Sequence, residues 1–209
     1  MNRPLVKIEH PMPGIALLTL QRPEKRNALS IALLEELIAA IQKNAMEARA
    51  IILTGEGPVF SAGLDLKERE DPKLAPVAMQ RIATLFQTLV EAPCVTLAAV
   101  QGDVLAGGVG IVLACDWAVM NEKSYLAFPE VKKGIVPALV AALLRRQVVL
   151  RHARELLLFG EQTSAKQALA IGIVNRLAPG ADLLRVCQEQ AALVLGTDAG
   201  AIKELKKLL

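Results

Sequence analysis

Aromatic side chains make up only 3% of the 209 residues, which leaves little surface on which nucleobases could stack. Histidine is nearly absent, with His10 and His152 alone, and the cysteines are three, Cys94, Cys115 and Cys187. An odd set of widely spaced cysteines in apolar sequence fits buried reduced thiols better than a disulfide frame, and with so few histidines no zinc site is expected. Charge of one sign is also lacking: the formal net charge is +3, with basic and acidic residues interleaved. That is too small a bias to indicate nucleic acid, although it suits an anionic ligand locally. The composition is 53% hydrophobic with a mean hydropathy of +0.39, yet long apolar runs are missing. The longest, Val104 to Cys115 and Ile135 to Leu144, fall short of the roughly 20 residues that a membrane span needs. The apolar excess is read as core plus a subunit interface. The opening MNRPLVKIEH has no long apolar stretch of the secretory kind, so a cytoplasmic or matrix-like compartment is the expectation, cytoplasmic first.

What is present alternates between strands and helices. Val6–Glu9 and Ile15–Leu20 read as strands joined across Pro11, Pro13 and Gly14. After the polar loop QRPEKRN at 21–27, Ser30 is a good N-cap, with Leu29 and Leu34 as a hydrophobic staple, for a helix over Ile31–Met46. Ala50–Thr54 and Val95–Val100 are continuous apolar runs, as expected of strands covered on both faces of a parallel sheet. Ala75–Val90 reads as a helix between them. Beyond Pro137 the pattern becomes helical, over Ala138–Val149, His152–Phe159, Ser164–Ala170 and Asp182 to the end, with one strand at Ile173–Leu177. The class is α/β.

Two glycine-bearing turns follow buried strands, Ser61-Ala62-Gly63 and Ala106-Gly107-Gly108. Small residues let a ligand approach the main chain, and N–H groups at helix starts lack internal partners. Two such amides aimed at one point would hold an enolate oxygen; glycines that merely permit tight turns explain either stretch equally well. Glu130 lies in LAFPEV, where apolar neighbours would desolvate it towards acid/base use. The competing reading is an exposed carboxylate paired with Lys132 or Lys133. Asp116 reads as a structural carboxylate or cap, and Lys25, Arg26 and Asp65 stay open between ligand contacts and solvated loop residues. Gly108-Val109-Gly110 is only a fragment of a dinucleotide fingerprint, because Leu113 stands at the third glycine position; there is neither a Walker lysine nor a G-x-S-x-G elbow.

Five stretches in order carry a resemblance to a known family: RPEKRNALS at 22–30, AIILTGEGPVFSAGLDLKE at 50–68, VQGDVLAGGVGIVLACD at 100–116, FPEVKKGIVP at 128–137 and FGEQTSAKQALAIGIVNRL at 159–177. Together they resemble the crotonase superfamily, the enoyl-CoA hydratases and isomerases. The resemblance implies a spiral of ββα units over 1–137 that carries an acyl-CoA site, and a helical region over 138–209 for packing and assembly into a homotrimer or hexamer. It implies a thioester substrate that brings its own coenzyme A, with no further cofactor and no metal. By position, the oxyanion-hole amides are those of Ala62 and Gly107, the loop at Lys25, Arg26 and Ala28 and the segment Ala62, Gly63, Leu64, Asp65 and Leu66 line the CoA site, and Glu130 is the family's second catalytic glutamate.

Two departures shape the functional expectation. Gly110 stands where the family's hydratases carry their first glutamate. Adding water is most simply served by two carboxylates, whereas moving a double bond from position 3 to position 2 can use one base, so Δ3 to Δ2 isomerisation with Glu130 as sole base and acid is preferred. FSAGLDL and AGG are similar to the isomerase branch; GGVGIVLACD and EVKKGIVPA are similar to a bacterial group of hydratases that also lacks the first acid. The alternatives are a hydratase in which Asp103 or Glu122 substitutes, and a catalytically idle acyl-CoA-binding or assembly protein. The chain also stops at Leu209, where relatives usually continue with helices that cover the site; a short or truncated member, or cover from neighbouring subunits, is expected.

Overall fold

The computed structural model describes residues 3–209. The first two strands, β1 (Val6–Met12) and β2 (Ile15–Leu20), form an antiparallel hairpin. β1 runs three residues past the expected Glu9 because a register shift between Glu9 and Met12 accommodates Pro11, and β1 is an edge strand, where a residue without an N–H costs no ladder bond. Helix α1 (Ile31–Ala45) is capped as expected, with Ser30 Oγ accepting from the Leu33 amide at 3.3 Å. A second helix then precedes the predicted one: α2 (Leu66–Glu70) occupies the charged stretch, and α3 spans Ala75–Val90.

The middle of the chain repeats a two-strand unit. β3 (Ala50–Gly55), β5 (Val95–Val100) and β7 (Trp117–Asn121) enter the larger sheet, and each is followed by a three-residue strand, β4 (Val59–Ser61), β6 (Asp103–Leu105) or β8 (Tyr125–Ala127), that enters the smaller one. A helix closes each of the first two units, α3 after β4 and α4 (Gly107–Ala114) after β6. The larger sheet runs β1-β2-β3-β5-β7-β10 and is parallel except for β1; the smaller runs β4-β6-β8-β9. This is the expected spiral of ββα units. Strands as short as VFS, DVL and YLA carry no readable period, which is why the second strand of each unit was not foreseen.

One face of the larger sheet packs on the main core under α1, α3 and α4, which includes Leu18, Leu34, Ile51, Phe60, Leu85, Ala98, Met120 and Phe128. Every residue of α4 is buried, as expected for a helix that is apolar all round.

The region after Pro137 is helical with two short strands, in the order α5 (Ala138–Gln147), α6 (Leu150–Phe159), β9 (Thr163–Ser164), α7 (Ala165–Ala170), β10 (Arg176–Ala178), α8 (Leu183–Ala192) and α9 (Ala199–Leu208). β9 and β10 extend the two sheets, which ties this region into the same core. The opposite face of the larger sheet is covered by α8 through Leu183, Cys187 and Ala191. The single helix expected from Asp182 to the end is interrupted: a 3-10 turn at Leu193–Gly196 ends the first part, and Asp198 caps α9 by accepting from Ala201 N at 2.7 Å. The GTD sequence supplies both the break and the new cap. Among the described residues no helix is long and apolar enough to cross a membrane.

Candidate active site

The loop before α1 is built around a residue that the motif reading passed over. Asn27, fully buried, donates from Nδ2 to the carbonyls of Glu56 and Val59 at 2.9 and 2.8 Å and accepts at Oδ1 from Arg22 N at 2.9 Å. Its backbone lies in the left-handed region at φ 50°, which asparagine tolerates better than most residues. Arg22 in turn donates to the Ala28 carbonyl at 2.6 Å and pairs with Asp65 at 3.2 Å. The loop at 22–28 is thereby clamped onto the turn at 61–65. Asp65 also accepts from Lys67 N and so caps α2. Its side chain is thus engaged by Arg22 and by the start of α2.

The two glycine turns pack directly on each other. Gly63 has φ +83°, and a Cβ there would lie 2.8 Å from Ala106 Cβ and 3.1 Å from Gly107 N, so only glycine fits. Ala106 adopts φ 53° and ψ −124°, a conformation that costs a non-glycine residue on the order of 1–3 kcal/mol. It is held by its own N–H, which donates to the Ala127 carbonyl of β8 at 2.9 Å. This turn sets Gly107 at the first position of α4, where its amide has no partner among the described residues.

The Ala62 amide, expected to act with that of Gly107, has a backbone partner. Ala62 N donates to the Arg26 carbonyl at 3.0 Å and is therefore engaged. Leu29 pairs with Leu64 as an isolated parallel bridge that uses Gly63 O and Asp65 N, which leaves Leu64 N without an acceptor among the described residues. Leu64 and Gly107 carry the two free amides that flank this cleft. The alternation of bonded and free N–H groups in a bridge decides this, and no residue identity in SAGLD encodes it.

An open cleft brings together Ala62, Leu64, Leu66, Gly107 and Glu130 from the expected set. Lys25 and Arg26 are exposed, and neither they nor Ala28, Gly63 and Asp65 line it; Gly63 acts from beneath by permitting the contact between turns. Sequence reasoning missed Arg69, Met79, Ile82, Phe86 and Lys133, which also face the cleft. Glu130 sits in a 3-10 helix at Pro129–Lys133, is 8% exposed, and its Oε2 has no hydrogen-bond partner among the described residues. Its burial fits the desolvated reading rather than the exposed one; Lys132 pairs with Glu161 at 2.8 Å, and Lys133 faces the same cleft. Burial pushes the Glu130 carboxyl above the ordinary carboxylate value, partly offset by its own backbone amide and by Arg69 and Lys133.

Gly110 is packed against an aromatic ring of α3. A Cβ there would lie 2.8 and 2.9 Å from Cε2 and Cε1 of Phe86 and closer still to Cζ. One turn earlier, a Cβ at Gly107 would lie 2.7 Å from Ile82 Cδ1. Ile82 and Phe86 of α3 thus seat on Gly107 and Gly110 of α4, and the phenyl ring fills the space a side chain at 110 would enter. Neither Asp103, which accepts from Tyr125 N at 3.3 Å, nor the exposed Glu122 lines the cleft. Asp116 is structural as expected, accepting from Thr96 N and Oγ1 and pairing with Lys206 at 2.6 Å.

Comparison with known proteins agrees with this architecture. The family described as enoyl-CoA hydratase/isomerase matches residues 11–209. An enoyl-CoA isomerase/hydratase of Mycosarcoma maydis is 34% identical over 209 residues, covering 93% of this chain and 76% of that protein. A putative enoyl-CoA hydratase of Thermus thermophilus is 38% identical over 207 residues, covering 93% and 80%. The crystal structure of an enoyl-CoA hydratase from Bacillus anthracis superposes with a TM-score of 0.93 at 30% identity, covering 97% of this chain and 81% of that one. With a spiral of ββα units, two abutting glycine turns and a family match over nearly its whole length, the chain belongs to the enoyl-CoA hydratase/isomerase family of the crotonase superfamily.

Proposed function

We propose that the protein moves the double bond of a 3-enoyl-CoA thioester to position 2. The thioester carbonyl oxygen is held by the amides of Leu64 and Gly107. The Glu130 carboxylate takes a proton from C2, and the electron pair of that bond moves towards the carbonyl to give a dienolate. The same carboxyl returns the proton to C4 as the C3–C4 double bond opens and a C2–C3 double bond forms. No water is consumed. An amide donor of this kind supplies about 3–4 kcal/mol of transition-state stabilisation, and a carboxyl whose pKa is raised by burial is a stronger base, better suited to take and return a proton, than an exposed one.

The observation that carries this reading is the unpaired, buried Glu130 in one cleft with two unpaired amides and no second carboxylate among the described lining residues. The test incubates the enzyme separately with a 3-enoyl-CoA and with crotonyl-CoA and identifies the products by mass spectrometry. Conversion of the first to a 2-enoyl-CoA, lost in Glu130→Gln while CoA-thioester binding persists, is expected. Formation of 3-hydroxyacyl-CoA as the main product, or near-normal turnover by Glu130→Gln, would refute it.

A further inference from the structure

The ring of Phe86 does more than fill space beside Gly110. It lines the cleft together with Ile82 and Met79, also on α3, so this wall offers a water molecule no polar side chain, while the polar side chains of the cleft, Arg69, Glu130 and Lys133, stand on other elements. An ordered water needs roughly 2–4 polar partners to be held in such a place. The ring is itself fixed, 5% exposed and seated on the bare backbone of α4 at Gly110. We infer that Phe86 is a specificity-determining residue: it keeps solvent from the dienolate, so that the proton Glu130 removes from C2 is returned to C4 of the same molecule.

This inference rests on the isomerase reading and deepens it. The balance of the reaction is unchanged, since one C–H bond breaks at C2 and one forms at C4. What Phe86 controls is the proton's fate between those events. While the dienolate persists, the Glu130 carboxylic acid can either deliver its proton or exchange it with water. A dry wall favours delivery; a wall opened to solvent favours exchange, and then the arriving hydrogen comes from the medium.

The distinguishing experiment is isomerisation of unlabelled 3-hexenoyl-CoA in deuterium oxide, with the deuterium fraction at C4 of the product read by mass spectrometry. In the unmodified enzyme most product is expected to retain its original hydrogen. Phe86→Ala, which opens the wall, is expected to raise the deuterium fraction several-fold. Phe86→Leu, which opens it less, should give an intermediate value and carries the test if Phe86→Ala does not fold. A deuterium fraction that is equal in the unmodified enzyme and in a folded Phe86 variant, or that is already near complete in the unmodified enzyme, overturns the role of Phe86 and leaves the isomerase reading intact. Failure of the unmodified enzyme to move the double bond at all overturns both.

Discussion

Glu130 sits badly as far as stability is concerned and well as far as chemistry is concerned. A carboxyl whose folded pKa is raised binds more protons in the native than in the unfolded chain between the two pKa values, so stability falls as pH rises through that window, which starts at the ordinary value of 4.5. Replacing it with glutamine removes the ionisation and, because Oε2 has no partner to lose, no hydrogen bond from that oxygen. Glu130→Gln is therefore expected to unfold at a higher temperature than the unmodified protein near neutral pH, with the gap closing below the carboxylate range; scanning calorimetry at several pH values checks this. Gly110→Ala is expected to have the opposite effect. Alanine gains about 1 kcal/mol over glycine in helix propensity, but its Cβ must displace a ring held within a buried contact, and overpacking of this kind costs about 1–3 kcal/mol. Net destabilisation in urea titration is the expected result. The apolar neighbours of Glu130 left its burial open between two readings, and its burial is seen only in the fold; Phe86 was not legible at all, since nothing in a helix sequence tells which glycine of another helix it will meet.

The glycine turns and the loop that braces them act as one element. Arg22 and Asp65 are respectively 16% and 17% exposed at the side chain, so this pair is far less screened than a surface ion pair. Asp65→Ala removes the cap of α2 and the partner of Arg22 together. A lost cap costs about 1 kcal/mol and a stranded, mostly buried polar partner about 1–3 kcal/mol. The Leu64 amide is one residue away, so the same variant is expected to lose turnover with a 3-enoyl-CoA as well as stability. Denaturant unfolding alongside steady-state kinetics measures both. The turns were visible in the sequence as small residues after buried strands. Which amide of the first turn stays free was not, because that depends on the Arg26 carbonyl reaching Ala62 and on Leu29 bridging to Leu64. Likewise the long apolar strands announced the larger sheet, whereas the three-residue strands of the smaller one take their identity from their neighbours alone.

At the scale of the whole molecule, both faces of the larger sheet are sealed, and the three cysteines are buried in the layers that seal it. Burial pushes the thiol of Cys94 up to about 11 and that of Cys187 up to about 12, and raises Cys115 as well. A thiol-selective disulfide reagent at mildly alkaline pH should label the native protein slowly and all three thiols at once in denaturant. Rapid labelling of the folded protein would contradict the sealed core. The seating of Phe86 on Gly110 also bears on how such a protein changes over generations. A carboxylate at 110 requires the ring of residue 86 to move or shrink, and shrinking residue 86 first removes packing between α3 and α4. Each single step disturbs the same contact, so changing both helices together is the less disruptive route between one acid and two, and packing between the helices slows drift in the chemistry of the cleft.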